Sequence, residues 1–265
     1  MHVYGLCAVR EGEILLMHAK AARDEVFADV ALHLQDLVLD STDIEQFLGD
    51  LALYCAARLS SPGRQLYCGV AVERKKKPTA AAGSDSSVRI LHQLLDKYGD
   101  GPELTAMRGP APVLVPDAGR EKRWPEYAAA LVRQEFSSAV SLPLALDEDA
   151  KGVLSLYCGQ RHGFSSEDIA AAQAFAAQVA KSLRVALRID KLQDVRDGMS
   201  AAMKSRTVID LATGAIMAQN RCSQREAFNV LLLASNTRNK KLKDVAAAVI
   251  ASVSGSSKTF TYFDE

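Results

Sequence analysis

The sequence lacks the features that announce most catalytic and metal chemistries. Its five cysteines (Cys7, Cys55, Cys68, Cys158, Cys222) are scattered over 265 residues. Their number is odd, no two have C-x-x-C spacing, and no neighbouring histidine completes a zinc set. Disulfide frameworks and structural zinc are therefore not expected, and buried free thiols in a reducing compartment are. There is no G-x-x-x-x-G-K-[ST], no G-x-G-x-x-G after a strand, no H-E-x-x-H and no G-x-S-x-G elbow. The Ser, His and Asp residues follow no recognisable catalytic order, so an enzyme is not expected. No run approaches the roughly eighteen uninterrupted apolar residues of a membrane span, and the apolar stretch before Arg10-Glu11 is too short for a signal peptide. These absences lead to the expectation of a soluble, cytoplasmic protein.

An excess of either charge is missing too: 32 basic residues balance 32 acidic ones. That argues against a wholly basic nucleic-acid coat, but the balance is uneven along the chain. Residues 196–265 hold ten Lys and Arg against six Asp and Glu, so a neutral total hides a basic tail.

What is present is a chain long enough for two domains, with 48% apolar residues. The first forty residues carry one helical pattern (Val26, Val30, Leu34, Leu37), and Met1 to His18 read as a strand or two. Asp40-Ser41-Thr42-Asp43 caps a helix through Phe47, Leu48, Leu51 and Tyr54, which ends at the breaker Ser60-Ser61-Pro62-Gly63. The period then changes. Gln65–Val72 reads as a strand, followed by the basic turn Arg74-Lys75-Lys76-Lys77-Pro78 and a short strand from Thr79 to Ala82. A helix through Val88, Leu91, Leu94 and Leu95 stops at Gly99-Asp100-Gly101-Pro102. An extended Pro112–Asp117, a loop or helix around Trp124 and Tyr127, and strands over Ser138–Leu144 and Lys151–Cys158 complete an α+β pattern around an antiparallel sheet.

From Ser166 the pattern is helical, through Ile169, Ala172, Ala176, Val179 and Leu183, then Leu192, Val195, Met199 and Ala202. One helix of roughly forty-five residues would be about 65 Å long, too long for one core, and implies a coiled-coil connector that pairs with a second copy. A kink at Gly198 dividing it into two helices is the alternative.

In order and spacing, this series resembles a GAF domain over about residues 43–188. The residues that carry the likeness are the Leu66–Val72 strand, Gly99-Asp100-Gly101-Pro102, Pro112–Asp117, Arg123-Trp124, the Ser138–Leu144 strand, Gly152–Tyr157 and Phe164–Asp168. The resemblance implies sensing of a small molecule, or a dimerising scaffold, without naming a ligand. His92 offers no second haem ligand, Cys68 and Cys158 read as core residues, and the N-K-F-D-type signature of cyclic-nucleotide sensors is absent. The Arg74–Lys77 turn, without an interleaved aromatic residue, reads as a solvated hairpin.

In the tail, three helices are legible. The first ends near Asn220, the second starts at Ser223 with Glu226 completing a capping box, and the third buries Leu242, Val245, Ala246, Val249 and Ile250 after a break over Asn236–Asn239. Met217, Phe228, Leu231 and Val245 read as core. The pattern Arg206, Ile209, Ala212, Gly214, Ile216-Met217, Cys222-Ser223, Glu226-Ala227-Phe228, Leu231, Ala234, Leu242 and Val245-Ala246 closely resembles the ANTAR domain of bacterial transcription antiterminators. The resemblance implies a three-helix bundle that binds stem-loops in nascent mRNA as a homodimer. RNA is read at unstacked loop bases, with phosphates adding sequence-independent affinity. The expected contacts are Arg238, Asn239, Lys240 and Lys241 at the start of the third helix, then Arg206, Ala218, Gln219 and Arg221, with Arg206 alternatively serving the dimer seam. Leu232-Leu233 stand where such domains often carry basic residues, which weights the expectation toward the third helix.

The expected layout is an N-terminal segment over 1–42, a GAF domain over 43–188, a helical connector over 189–205, an ANTAR domain over 206–257 and a tail over 258–265. A DNA-binding regulator is the second reading, because Ser223-Gln224-Arg225-Glu226-Ala227 superficially resembles the start of a helix-turn-helix. Against it, the third helix beyond Asp244 offers almost no base-reading side chains. A protein-docking module using that alanine-rich helix is the third.

Overall fold

The computed structural model describes residues 28–254 apart from 76 and 148. The strands expected over Met1 to His18, Cys7 and the 258–265 tail lie outside the described residues. The described residues form two compact units that divide between Asp190 and Lys191.

The first unit is built on a five-stranded antiparallel sheet in the order β2-β1-β5-β4-β3. Its strands are β1 (Leu66–Arg74), β2 (Ala80–Gly83), β3 (Val113–Val115), β4 (Ser138–Leu144) and β5 (Ala150–Cys158). β1 and β5 pair along their full lengths, from Leu66 opposite Cys158 to Arg74 opposite Ala150, and form the centre. Side chains alternate across the sheet. Leu66, Cys68, Val70 and Val72 of β1 join Leu154, Leu156 and Cys158 of β5 in one apolar cluster, while Tyr157 and Ala139 belong to another. Both faces are covered, so β1, β4 and β5 are apolar almost throughout rather than alternating with polar residues.

The larger cluster is completed by helix α1 (described over 28–40), helix α2 (Ile44–Leu59) and the first part of the long helix α6 (Ser166–Asn220). Val30 and Leu34 of α1 are fully buried in it, so this helix belongs to the same core as α2. Asp43 caps α2 by accepting from the Gln46 amide. The opposite face carries α3 (Ser86–Tyr98), α4 (Pro102–Arg108) and α5 (Pro125–Arg133) around Leu91, Trp124, Tyr127 and Leu131. α3 ends on Gly99 in the left-handed region at φ 68°, where a side chain would be strained. The α4 helix is not expected from the sequence, which reads Gly99–Pro102 only as a stop.

Ion pairs fasten α6 to this unit. Arg64 holds Asp168 through two 2.7 Å hydrogen bonds, Asp147 of the β4–β5 loop receives Arg184 and Arg188, and Asp190 receives Arg74 at 3.0 Å and Lys77 at 2.9 Å. The Arg74–Lys77 turn expected to be merely solvated therefore anchors a helix. α6 is a single helix of 55 residues, ten more than the sequence pattern spans, and it runs unbroken through Gly198 rather than dividing there into two helices. A Cβ at Gly198 or Gly214 would meet nothing within 4 Å, so neither glycine is there for close packing.

Candidate nucleic-acid interface

The second unit comprises the C-terminal part of α6, α7 (Gln224–Arg238) and α8 (Leu242–Ser254). Three-residue connections, 221–223 and 239–241, join successive helices. The first is fixed by the expected capping box: the Glu226 amide donates to Ser223 Oγ, and the Ser223 amide donates to the Glu226 carboxylate at 2.8 Å. The hydrogen bonds from Ser223 hold the Glu226 carboxyl below its ordinary range. The second connection turns on Asn239, a left-handed residue at φ 48°, with Ser235 Oγ donating to the Lys240 carbonyl at 2.6 Å.

The core between the three helices is small: Ala212, Ile216, Ala227, Leu231, Val245 and Ala246, flanked by Val208, Ile209, Met217, Leu242, Val249 and Ile250. Ala212, Ala227 and Ala246 are fully buried, so alanine sets how closely the helices approach. Phe228, expected in this core, instead lies outside it with 39% of its surface exposed. Its α7 neighbours at the core face are Ala227 and Leu231, and one residue's rotation along the helix turns its ring to solvent. Leu232 and Leu233 are exposed as well.

All eight residues singled out from the sequence are on the surface. They do not form one cluster. Ala218, Gln219 and Arg221 lie at the α6–α7 turn, and Arg238, Asn239, Lys240 and Lys241 make the α7–α8 turn, about 22 Å away along α7. Arg206 stands on α6, fourteen residues before its end at Asn220. Arg206 Nε lies 3.7 Å from Asp210, a contact too exposed to immobilise it. The exposed Lys243, in the first turn of α8, adds to the α7–α8 turn; it is visible in sequence as the last member of the Lys240–Lys243 run. One end of the bundle thus concentrates cations and the Asn239 amide around backbone that changes direction.

Before this bundle, α6 exposes Leu192, Val195, Met199 and Met203 at three- and four-residue spacing. Together with Arg196, Ser200 and Lys204 they line a groove of about 460 Å³.

With this geometry in place, two family models match: the GAF domain over residues 33–184 and the ANTAR domain over residues 197–250. The chain belongs to the GAF domain family and carries an ANTAR domain. Both are regulatory domains. No curated protein matches the sequence. Among solved structures, an N-acylhomoserine-lactone-dependent LuxR-family transcription factor, CepR2 from Burkholderia cenocepacia, is 17% identical, covering 62% of this chain and 97% of its own, with a TM-score of 0.47. The type II free methionine-R-sulfoxide reductase of Thermoplasma acidophilum is 19% identical over 54% of this chain and 95% of its own (TM-score 0.41). The GAF domain of an Acinetobacter phosphoenolpyruvate-protein phosphotransferase is 14% identical over 62% and 96% (TM-score 0.43). Among the described residues of this GAF-ANTAR chain, no helix is long and apolar enough to cross a membrane, and no group of three or more His, Cys, Asp or Glu is placed to hold a metal.

Proposed function

We propose that the chain is a transcription antitermination regulator that binds mRNA stem-loops through its ANTAR domain, as a homodimer, under control of a signal received by its GAF domain. The observation that carries this reading is the basic α7–α8 turn, where exposed Arg238, Asn239, Lys240 and Lys241 follow one another and Lys243 stands in the first turn of α8. Cations there neutralise phosphate, and the amide offers a donor and an acceptor to an unstacked base. Ala218, Gln219 and Arg221, at the other end, could touch only a second part of an RNA. In this reading sensing runs through residue 188, the connector spans 189–205 and RNA binding occupies 206–257.

The exposed Leu192–Met203 stripe supports the dimer, because its spacing suits a two-helix seam with a second copy. Signal control requires the effector to bind two states of the dimer unequally. A helix-turn-helix reading of DNA is disfavoured because the outward positions of α8 include Ala247 and Ala248, which present no base-reading groups.

Filter binding of the full chain to a paired-hairpin RNA and to duplex DNA tests the proposal. Tighter, loop-sequence-dependent retention of the RNA is expected. Equal, weak, salt-sensitive retention of both would sink it, and retention of neither at low salt would favour a protein-docking role.

A further inference from the structure

The face of the GAF sheet opposite α2 and α6 buries a group of four polar side chains, beside the hydrogen-bonded hydroxyls of Ser141 and Ser155. Glu103, on the seven-residue helix α4, is 2% exposed. Its Oε1 accepts hydrogen bonds from the hydroxyls of Tyr157 and, at 3.3 Å, Tyr127. His92, on α3 and 8% exposed, places Nε2 3.3 Å from the other carboxylate oxygen, yet neither of its ring nitrogens has a well-aligned hydrogen-bond partner. Gly69 of β1 makes room for that ring, since a Cβ there would lie 2.6 Å from Nε2.

A carboxylate surrounded by two hydroxyl donors and an imidazole is an expensive thing to bury, and a leucine at 103 would cost less. The element that supplies it is a single seven-residue helix packed on β3, β4 and β5. α4 is bracketed by Gly99, Gly101 and Gly109, and its apolar anchorage is a small cluster of Ala106 and Met107 with Ala71, Val113 and Val153. Burial and the neighbouring carboxylate push both tyrosine hydroxyls well above their ordinary range, so they remain donors at any physiological pH.

We infer that Tyr127, Tyr157 and His92 form a recognition site for a small carboxylate with a short apolar body, and that Glu103 occupies it as an internal stand-in. An incoming carboxylate would take over the two hydroxyl bonds, engage the poorly aligned imidazole, and lie over Ala71 and Val153 as α4 moves aside. Exchange of one carboxylate for another leaves the buried charge unchanged. The assignment rests on the GAF domain being the sensing module and gives the effector a chemical class.

Emptying the site tests it. In the full chain with Glu103→Ala, sodium acetate should raise the urea midpoint saturably, read by the fluorescence of Trp124, the only tryptophan and a member of this cluster. At ten times its Kd, acetate should shift the folding equilibrium about tenfold. Equal concentrations of sodium chloride or acetamide should not, and adding Tyr127→Phe and Tyr157→Phe should abolish the effect. Indistinguishable responses to acetate and acetamide, or a rise that survives both tyrosine changes, would overturn the assignment. Should Glu103→Ala not fold, Glu103→Gln is the second variant: acetate, but not chloride, should accelerate amide exchange in 103–108, and unchanged exchange would overturn it equally. These readouts involve no RNA, so their failure and a failure of RNA binding are told apart.

Discussion

Removing the charge of Asp168 isolates one fastening of the long helix. Asp168 stands in the first turn of α6 and accepts two 2.7 Å hydrogen bonds from Arg64, plus bonds from the Ser165 amide at 3.0 Å and hydroxyl at 2.8 Å. Arg64 also donates to the Gly163 carbonyl. The Arg64 bonds, first, and those from Ser165 hold the Asp168 carboxyl far below the ordinary carboxylate range. Hydrogen bonds to charged partners contribute roughly 1.5–3 kcal/mol, and partial exposure of both side chains reduces this, so Asp168→Asn should cost about 1–2 kcal/mol. For a unit of this size that is a fall in urea midpoint of about 0.5–1 M. Urea titrations followed through Trp124 measure it, because that residue is buried in the GAF domain. The sign with pH is fixed: a depressed folded pKa gives stability that is fully present above the unfolded carboxylate value, near 4, and is lost progressively as pH falls from there through the folded value. Wild type and variant should therefore differ most at pH 7, and the gap should narrow toward pH 3. An equal midpoint at pH 7, or a gap undiminished at pH 3, would refute the reasoning.

Other expectations follow from the second unit. Leu231→Ala, at a fully buried position in a small core, should cost about 2–5 kcal/mol and be seen as loss of helical circular dichroism below the GAF transition. Asn239→Gly should leave that unit as stable or slightly more so, since glycine adopts φ 48° freely, while weakening RNA retention on filters if the amide reads a base. Met199→Glu in the exposed stripe should shift sedimentation from dimer to monomer without moving the Trp124-monitored urea midpoint. Lys240→Ala with Lys241→Ala should lower the slope of log affinity against log salt by about 0.7 for each phosphate left without its cation.

The elements that sequence discloses here are those whose reasons are local. The strands over 66–74 and 138–144 announce themselves as apolar runs between breakers, and Ser223 with Glu226 writes the start of α7 in four residues. α4 escapes notice because seven residues between glycines give no period, and because its largest buried side chain is Glu103, a residue type that normally marks a surface. Its partners come from α3, α5 and β5, so no spacing within the chain points to them. The burial of His92 is equally invisible in sequence, where it shows only as a histidine without a second haem ligand. Phe228 errs in the other direction: a bulky apolar residue beside a core of alanines finds no space between helices this close. The basic residues of the tail are visible in sequence, but which of them share one turn depends on where α7 begins and ends.

The pairing of β1 with β5 sets the order of events during synthesis. The sheet's centre joins the first strand of the described residues to the last, from Leu66 with Cys158 to Arg74 with Ala150. On a ribosome, β1 must wait for β5 to emerge, on the order of ten seconds at common elongation rates. Until then only the short β2 hairpin can cover one of its edges. The nascent chain thus holds a sticky apolar strand open to solvent, and the slow, non-local closure of this sheet is the interval in which a chaperone would have most to do.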